Sequence, residues 1–183
     1  MVSLMSLWLP ILVSALIVFF ASAILHMLLP LHREDWAKLP DEEAARAALR
    51  NVPPNDYMVP RGEGMSSMKD PAFMQKYREG PVVLMTVHPA GEPSMGRNLA
   101  QWFVLSVIVS IFAAYVAGRA LGPGAGYLEV FRFAGSTAFA AYALGQVQES
   151  IWSGRKWSTT LKNVLDALVY ALLTAGVFGW LWP

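Results

Sequence analysis

The residues most capable of chemistry are ionisable and amide side chains inside long apolar stretches or at their ends. His26, Glu149 and Asp166 are the principal ionisable groups among them. A charged group inside a membrane is unfavourable without a partner, so such residues generally mark a functional site or a defined ion pair. The direction of each stretch brings these groups to one level. The candidate polar layer comprises His26, Arg97, Gln101, Gln146, Glu149, Asn163 and Asp166.

This polar layer could serve as a proton or ion site, a headgroup pocket or a metal site. His26, Glu149 and Asp166 are of metal-ligating types, but the chain lacks the Glu-x-x-His pairs that di-iron bundles use. A structural interpretation is also open, in which Arg97 or Lys162 pairs with one of the two acids. From the sequence we assign no catalytic, cofactor-binding or metal-ligating residue, and the cofactor stays unknown.

The long segment between the first two apolar stretches contains six methionines and two isolated histidines, His32 and His88. Thioethers bind soft Cu(I), but the irregular spacing of these methionines favours apolar packing. We interpret both histidines as structural. The chain contains no phosphate-binding loop, dinucleotide fingerprint or Gly-x-Ser-x-Gly nucleophile motif.

Four apolar stretches must position these residues. They cover residues 9–31, 99–121, 130–152 and 161–182, and each has about the 20 residues that a helix needs to cross a bilayer. The sequence therefore predicts an all-α membrane protein with four transmembrane helices. Residues 32–98, between helices 1 and 2, are predicted to form a small cytoplasmic α+β insertion.

Local signals predict the elements of this insertion. Residues 39–50 have acids first and arginine last, which matches a helix dipole. Asp70 and Pro71 open a second helix that Gly80 ends. Residues 57–59 and 81–87 have strand composition, and we expect them to pair.

The distribution of positive charge predicts the orientation in the membrane. Twelve of the fourteen Lys and Arg residues cluster around the first and third connections, whereas only Arg119 and Arg132 lie toward the opposite side. Positive charge is retained on the cytoplasmic side. We therefore expect a multi-pass protein with both termini outside the cytoplasm. The first stretch has no basic residue before it, so we interpret it as a retained helix rather than a signal peptide.

Small residues recur every four positions on the fourth stretch. Such spacing lets membrane helices approach closely, and it favours packing within the chain over a dimer or partner interface. The net charge of +1 lacks the excess of positive charge that is typical of nucleic-acid-binding proteins. The absence of cysteine excludes disulfide and thiolate chemistry. On the fourth stretch, residues 161–182, the small residues that we predict to pack against other helices are Ala167, Ala171, Ala175 and Gly179.

Three segments of the chain, residues 39–50, 94–97 and 150–158, resemble those of a set of small, uncharacterised bacterial integral membrane proteins. The resemblance extends over most of the chain. It implies a bacterial inner-membrane setting and carries with it no activity and no binding residue.

Packing-competent helices and the lack of a catalytic motif favour a non-enzymatic accessory, assembly or scaffolding subunit of a membrane complex. The expected partners are the lipid bilayer and other membrane subunits or further copies of the chain. A small oligomeric transporter or channel that uses the polar layer is the alternative. A membrane enzyme acting on a lipid or quinone is the third hypothesis.

Overall fold

A computed structural model describes all residues, 1–183, and shows a mostly helical protein. The chain divides into two compact units. We call Met1–Ala37 together with Ser94–Pro183 the helical unit, and Lys38–Pro93 the inserted unit. In chain order the elements are α1 (Trp8–Ala23), α2 (Glu42–Leu49), β1 (Asn55–Val59), α3 (Pro71–Glu79), β2 (Val83–Val87), α4 (Met95–Ala120), α5 (Tyr127–Trp152) and α6 (Trp157–Trp180).

Three helical segments are long and apolar enough to cross a membrane, namely Leu4–Leu28, Met95–Ala120 and Trp157–Trp180. They are consistent with a multi-pass membrane protein. The remaining predicted span, residues 130–152, lies in a continuous helix of 26 residues, α5. This helix is not among the three apolar segments. α5 is less apolar than the other three long helices because it is rich in Ala, Gly, Ser and Gln. It also includes the charged residues Glu129, Arg132 and Glu149.

The first membrane segment ends differently from the prediction of one helix up to residue 31. Regular α-helix stops at Ala23, and a π-helical turn continues from Ile24 to Leu28. Leu29 is extended, with ψ of 142°, because the residue before a proline avoids helical geometry. A 3₁₀ turn then covers Pro30–His32. The backbone thus changes from π-helical to extended at Leu29 and from extended to 3₁₀ at Pro30.

The four long helices of the helical unit pack in a ring. α1 contacts α4 and α6, and α5 contacts the same two helices. Hydrogen bonds join neighbours: the Ser14 and Ser110 hydroxyls lie 3.0 Å apart, and the Trp102 indole donates to Ser22 Oγ at 2.7 Å. Such bonds each contribute about 0.6 kcal/mol on average between membrane helices.

The small residues of α6 lie inside this ring. Ala167, Ala171 and Ala175 are buried. A Cβ atom added at Gly135 of α5 would lie 2.9 Å from the Ala175 Cβ, and one added at Gly179 would lie 2.7 Å from the Tyr127 ring. The close approach of α5 and α6 therefore depends on missing side chains, as small-residue spacing predicts.

The inserted unit has the predicted helices and strands. Asp41 caps α2 by accepting from Ala44 N at 2.9 Å, and Asp70 caps α3 by accepting from Ala72 N at 2.9 Å. β1 and β2 pair antiparallel. No residue of the inserted unit is buried, which shows that its 3₁₀ turn, short helices and hairpin do not enclose a core.

Candidate metal site

The π-helical turn at the end of the first membrane segment brings two histidines together. His26 lies within the π-helical turn, and His32 ends the 3₁₀ turn that begins at Pro30. Their ring centroids are 4.3 Å apart, with an interplanar angle of 38°. A regular helix would have pointed these side chains to different faces, so the irregular backbone creates the pair. Single π-turns occur often at functional sites.

Asp166, on α6, completes the cluster from the opposite side. Its Oδ2 atom is 2.8 Å from His32 Nε2 and 3.5 Å from His26 Nε2. The Asp166 side chain is only 5% exposed. One potential ligand atom from each of the three residues lies within 4.8 Å of the other two. The site therefore joins the end of the first membrane segment to α6.

The short contact between His32 Nε2 and Asp166 Oδ2, which is an ion pair when His32 is protonated, does not have the geometry of a hydrogen bond. His32 Nε2 and Asp166 Oδ2 are both buried, and neither has a hydrogen-bond partner. Leaving a buried polar group unpaired costs about 1–3 kcal/mol. Such orphan atoms in a folded protein generally indicate a water, an ion or a catalytic role. Here two of them converge on the same point.

The other nitrogen of His32 is firmly held. His32 Nδ1 is 2.6 Å from Asp35 Oδ2, and Asp35 Oδ1 accepts a hydrogen bond from Lys162 Nζ at 2.8 Å. Thr159 donates to the same oxygen at 3.4 Å. A proton on Nδ1 donates to Asp35 and leaves the Nε2 lone pair free. This is the carboxylate–histidine arrangement that orients metal-ligating imidazoles.

The charge on Asp35 is stabilised where it lies. Burial alone would raise the pKa of Asp35, but hydrogen bonds from Lys162 and His32 outweigh it and hold this pKa below its ordinary value. Asp35 therefore remains a carboxylate acceptor for His32. Its side chain is 7% exposed, so the interaction is shielded from solvent.

The donor set fits a first-row transition metal. Two imidazoles and one carboxylate ligate zinc in hydrolytic enzymes and non-haem iron in oxygenases. Bonds of about 2.0–2.1 Å place neighbouring ligand atoms of a tetrahedral zinc site about 3.3 Å apart. The observed contacts of 2.8 and 3.5 Å from Asp166 Oδ2 lie on either side of that spacing.

Aromatic rings form the wall next to this cluster. The Tyr170 hydroxyl is 3.4 Å from His26 Nε2. The Tyr170 ring packs edge-on against Tyr142 and also contacts Trp102, with centroid distances of 5.5 and 5.8 Å. Asp166 and Tyr170 are one turn apart on α6. The side of the cluster that faces the helix core is therefore largely apolar.

The structure brings only part of the predicted polar layer together. His26 and Asp166 meet, whereas Gln146 and Asn163 form a separate hydrogen bond at 3.3 Å. Lys162 pairs with Asp35 rather than with either predicted acid. The remaining predicted members, Arg97, Gln101 and Glu149, are exposed and lie outside the cluster.

Two functional candidates escaped the sequence analysis. The sequence pattern predicts His32 as an isolated structural histidine and assigns no role to Asp35. The available signal was the spacing His26-x₅-His32-x₂-Asp35 around a proline. That spacing indicates a site only if the helix breaks before Pro30, which it does.

Comparison of the chain with known protein families, with curated proteins and with solved structures finds no match.

Proposed function

We propose that this protein is a multi-pass membrane metalloprotein that binds one divalent first-row transition-metal ion through His26, His32 and Asp166. One observation carries the proposal: His32 Nε2 and Asp166 Oδ2 are buried 2.8 Å apart without hydrogen-bonding each other or any other group. An ion coordinated by both atoms would satisfy them. The third ligand, His26, already lies within reach.

The donor chemistry favours zinc among the divalent ions. Magnesium and calcium prefer sites made entirely of oxygen, whereas two of the three donors here are imidazole nitrogens. Cu(I) prefers thiolates and thioethers, and neither contributes to this cluster. Zinc binds mixed nitrogen and oxygen ligands in tetrahedral geometry. Ferrous iron has the same donor preference and is the competing ion.

The experiment that tests the proposal is metal analysis of the purified full-length chain. The protein is extracted in mild detergent, stripped with a chelator and titrated with Zn²⁺ by calorimetry. We expect one ion per chain in the wild type and in a His88→Ala control, because His88 belongs to the inserted unit and not to the cluster. A stripped protein that binds no zinc under these conditions would refute the proposal.

A role as an accessory or scaffolding subunit is the second candidate, and the inserted unit favours it. None of its residues is buried, and Leu39, Met65 and Met68 are more than half exposed. Because the inserted unit has no core of its own, such side chains can be buried only against another surface. Mass analysis of the same detergent preparation tests this role, since it requires a second protein in stoichiometric amount. A chain that purifies alone would exclude it.

We also propose that α5 crosses the membrane as well, which gives four spans in all, and that the first and third connections are cytoplasmic. The packing of α5 along α4 and α6 supports this arrangement, as does the clustering of Lys and Arg around those two connections. A bacterial inner membrane is the proposed setting, with both termini outside the cytoplasm.

Single introduced cysteines test this topology cleanly, because the chain has none of its own. In intact cells, a membrane-impermeant maleimide should label Gly122→Cys, in the turn before α5. Ser66→Cys and Ser153→Cys should react only after permeabilisation. Labelling of Gly122→Cys and Ser153→Cys from the same side would show that α5 does not cross the membrane.

A further inference from the structure

The cluster leaves part of the ion's coordination to a ligand from outside the chain. Only three residues contribute ligand atoms to it. Asp35, the carboxylate that contacts His32, is already engaged by His32 Nδ1 and Lys162. Structural zinc sites are closed by four protein ligands, whereas zinc sites with three protein ligands keep a position for water or substrate.

Burial shows where that position opens. The side chains of Asp166 and His32 are 5% and 12% exposed, but the side chain of His26 is 47% exposed. Two ligands therefore close one side of the site, and the third stands at its entrance. An external ligand would reach the ion along the His26 side.

Tyr170 is placed to contact such a ligand. Its hydroxyl is 3.4 Å from His26 Nε2, the atom that also faces Asp166. When His26 Nε2 coordinates an ion, its lone pair can no longer accept a hydrogen bond. The Tyr170 hydroxyl is then free to donate to another acceptor, such as an oxygen bound to the ion. Tyr170 is only 4% exposed and its ring is packed against Tyr142, so the hydroxyl cannot swing into solvent.

We infer that the ion at His26, His32 and Asp166 keeps an exchangeable position on the His26 side, where it binds an oxygen-donor ligand such as a carboxylate that accepts a hydrogen bond from Tyr170. The inference rests on the proposed metal-binding function and specifies its ligand class. It makes the site one for ligand binding or Lewis-acid chemistry, rather than a structural link between helices.

The test uses the full chain loaded with Co²⁺, which reports its coordination through visible absorption bands, and acetate as the probe. Acetate should change these bands saturably in the wild type. Tyr170→Phe should bind Co²⁺ normally and acetate about tenfold more weakly, since it loses one hydrogen bond to a charged acceptor. Tyr142→Phe is the matched control, because Tyr142 packs beside Tyr170 but lies outside the metal cluster, and it should behave like the wild type.

Each outcome separates the two proposals. Cobalt bands that do not respond to acetate at any concentration would overturn the exchangeable position and leave the metal site intact. Absence of cobalt binding would remove the metal site itself. Equal acetate affinity in the wild type and Tyr170→Phe would overturn the role of Tyr170.

Discussion

Replacing Asp166 with asparagine is expected to lower zinc affinity by at least about a hundredfold. The change keeps the side chain's shape but removes the only anionic ligand of the cluster. Loss of residues that merely orient ligands already weakens metal sites 10- to 100-fold, and loss of a ligand itself should exceed that. Calorimetric titration of the chelator-stripped variant against the wild type measures the difference.

The same change should abolish stabilisation by zinc. At a free concentration one hundred times its dissociation constant, a ligand stabilises the native state by about 2.7 kcal/mol. Thermal unfolding with and without Zn²⁺ should show this gain in the wild type and not in Asp166→Asn. Glu149→Gln is the matched control, because this acid is exposed and outside the cluster, and it should retain the gain. An equal response in Asp166→Asn would contradict the ligand set.

Replacing Lys162 with methionine is expected to lower both stability and metal affinity. Lys162 Nζ is 2.8 Å from Asp35 Oδ1, and Asp35 is only 7% exposed. Removing one partner of a buried pair leaves an uncompensated charge and costs 3–5 kcal/mol when burial is complete. Since Lys162 is 25% exposed, we expect about 2 kcal/mol. Zinc affinity should fall about tenfold, because Asp35 orients His32.

Lys156→Met provides the control for this prediction. Lys156 precedes the same helix and is exposed, so its replacement should change neither quantity. The double variant Asp35→Asn with Lys162→Met removes both charges and should be more stable than Lys162→Met alone. Chemical unfolding in detergent measures these differences. Identical stabilities for Lys162→Met and Lys156→Met would show that the ion pair contributes nothing.

The sequence was sufficient to predict the helices and part of the site. Apolar length predicts the three segments that can cross a membrane, the order of charges over residues 39–50 predicts α2, and the Asp70 cap predicts α3. His26 and Asp166 were identified because ionisable groups are rare in apolar stretches. These predictions depend on composition and short-range pattern, which the sequence displays directly.

The remainder of the site depends on backbone irregularity that periodicity does not reveal. The π-helical turn and the extended Leu29 bring His32 beside His26. A helix continued to residue 31 would have separated them. Glu149 illustrates the opposite error: it lies at the right depth along α5, but the rotation of that helix turns it outward. The sequence shows how far along a helix a residue lies. The direction in which the helix turns that residue depends on how the helix packs against its neighbours.

The missing side chain at Gly135 has a consequence for how α5 and α6 assemble. α5 contacts α6 more extensively than any other helix, and a short turn with Gly154 at φ 68° joins them. α5 alone is not apolar enough to stand out as a membrane span. Pairing with its neighbours buries small and apolar residues of α5 such as Ala134 and Ala138, whereas Glu129, Arg132 and Glu149 stay exposed. The two helices therefore form a close-packed hairpin, in which the missing side chain at Gly135 lets the apolar helix α6 lie directly against α5.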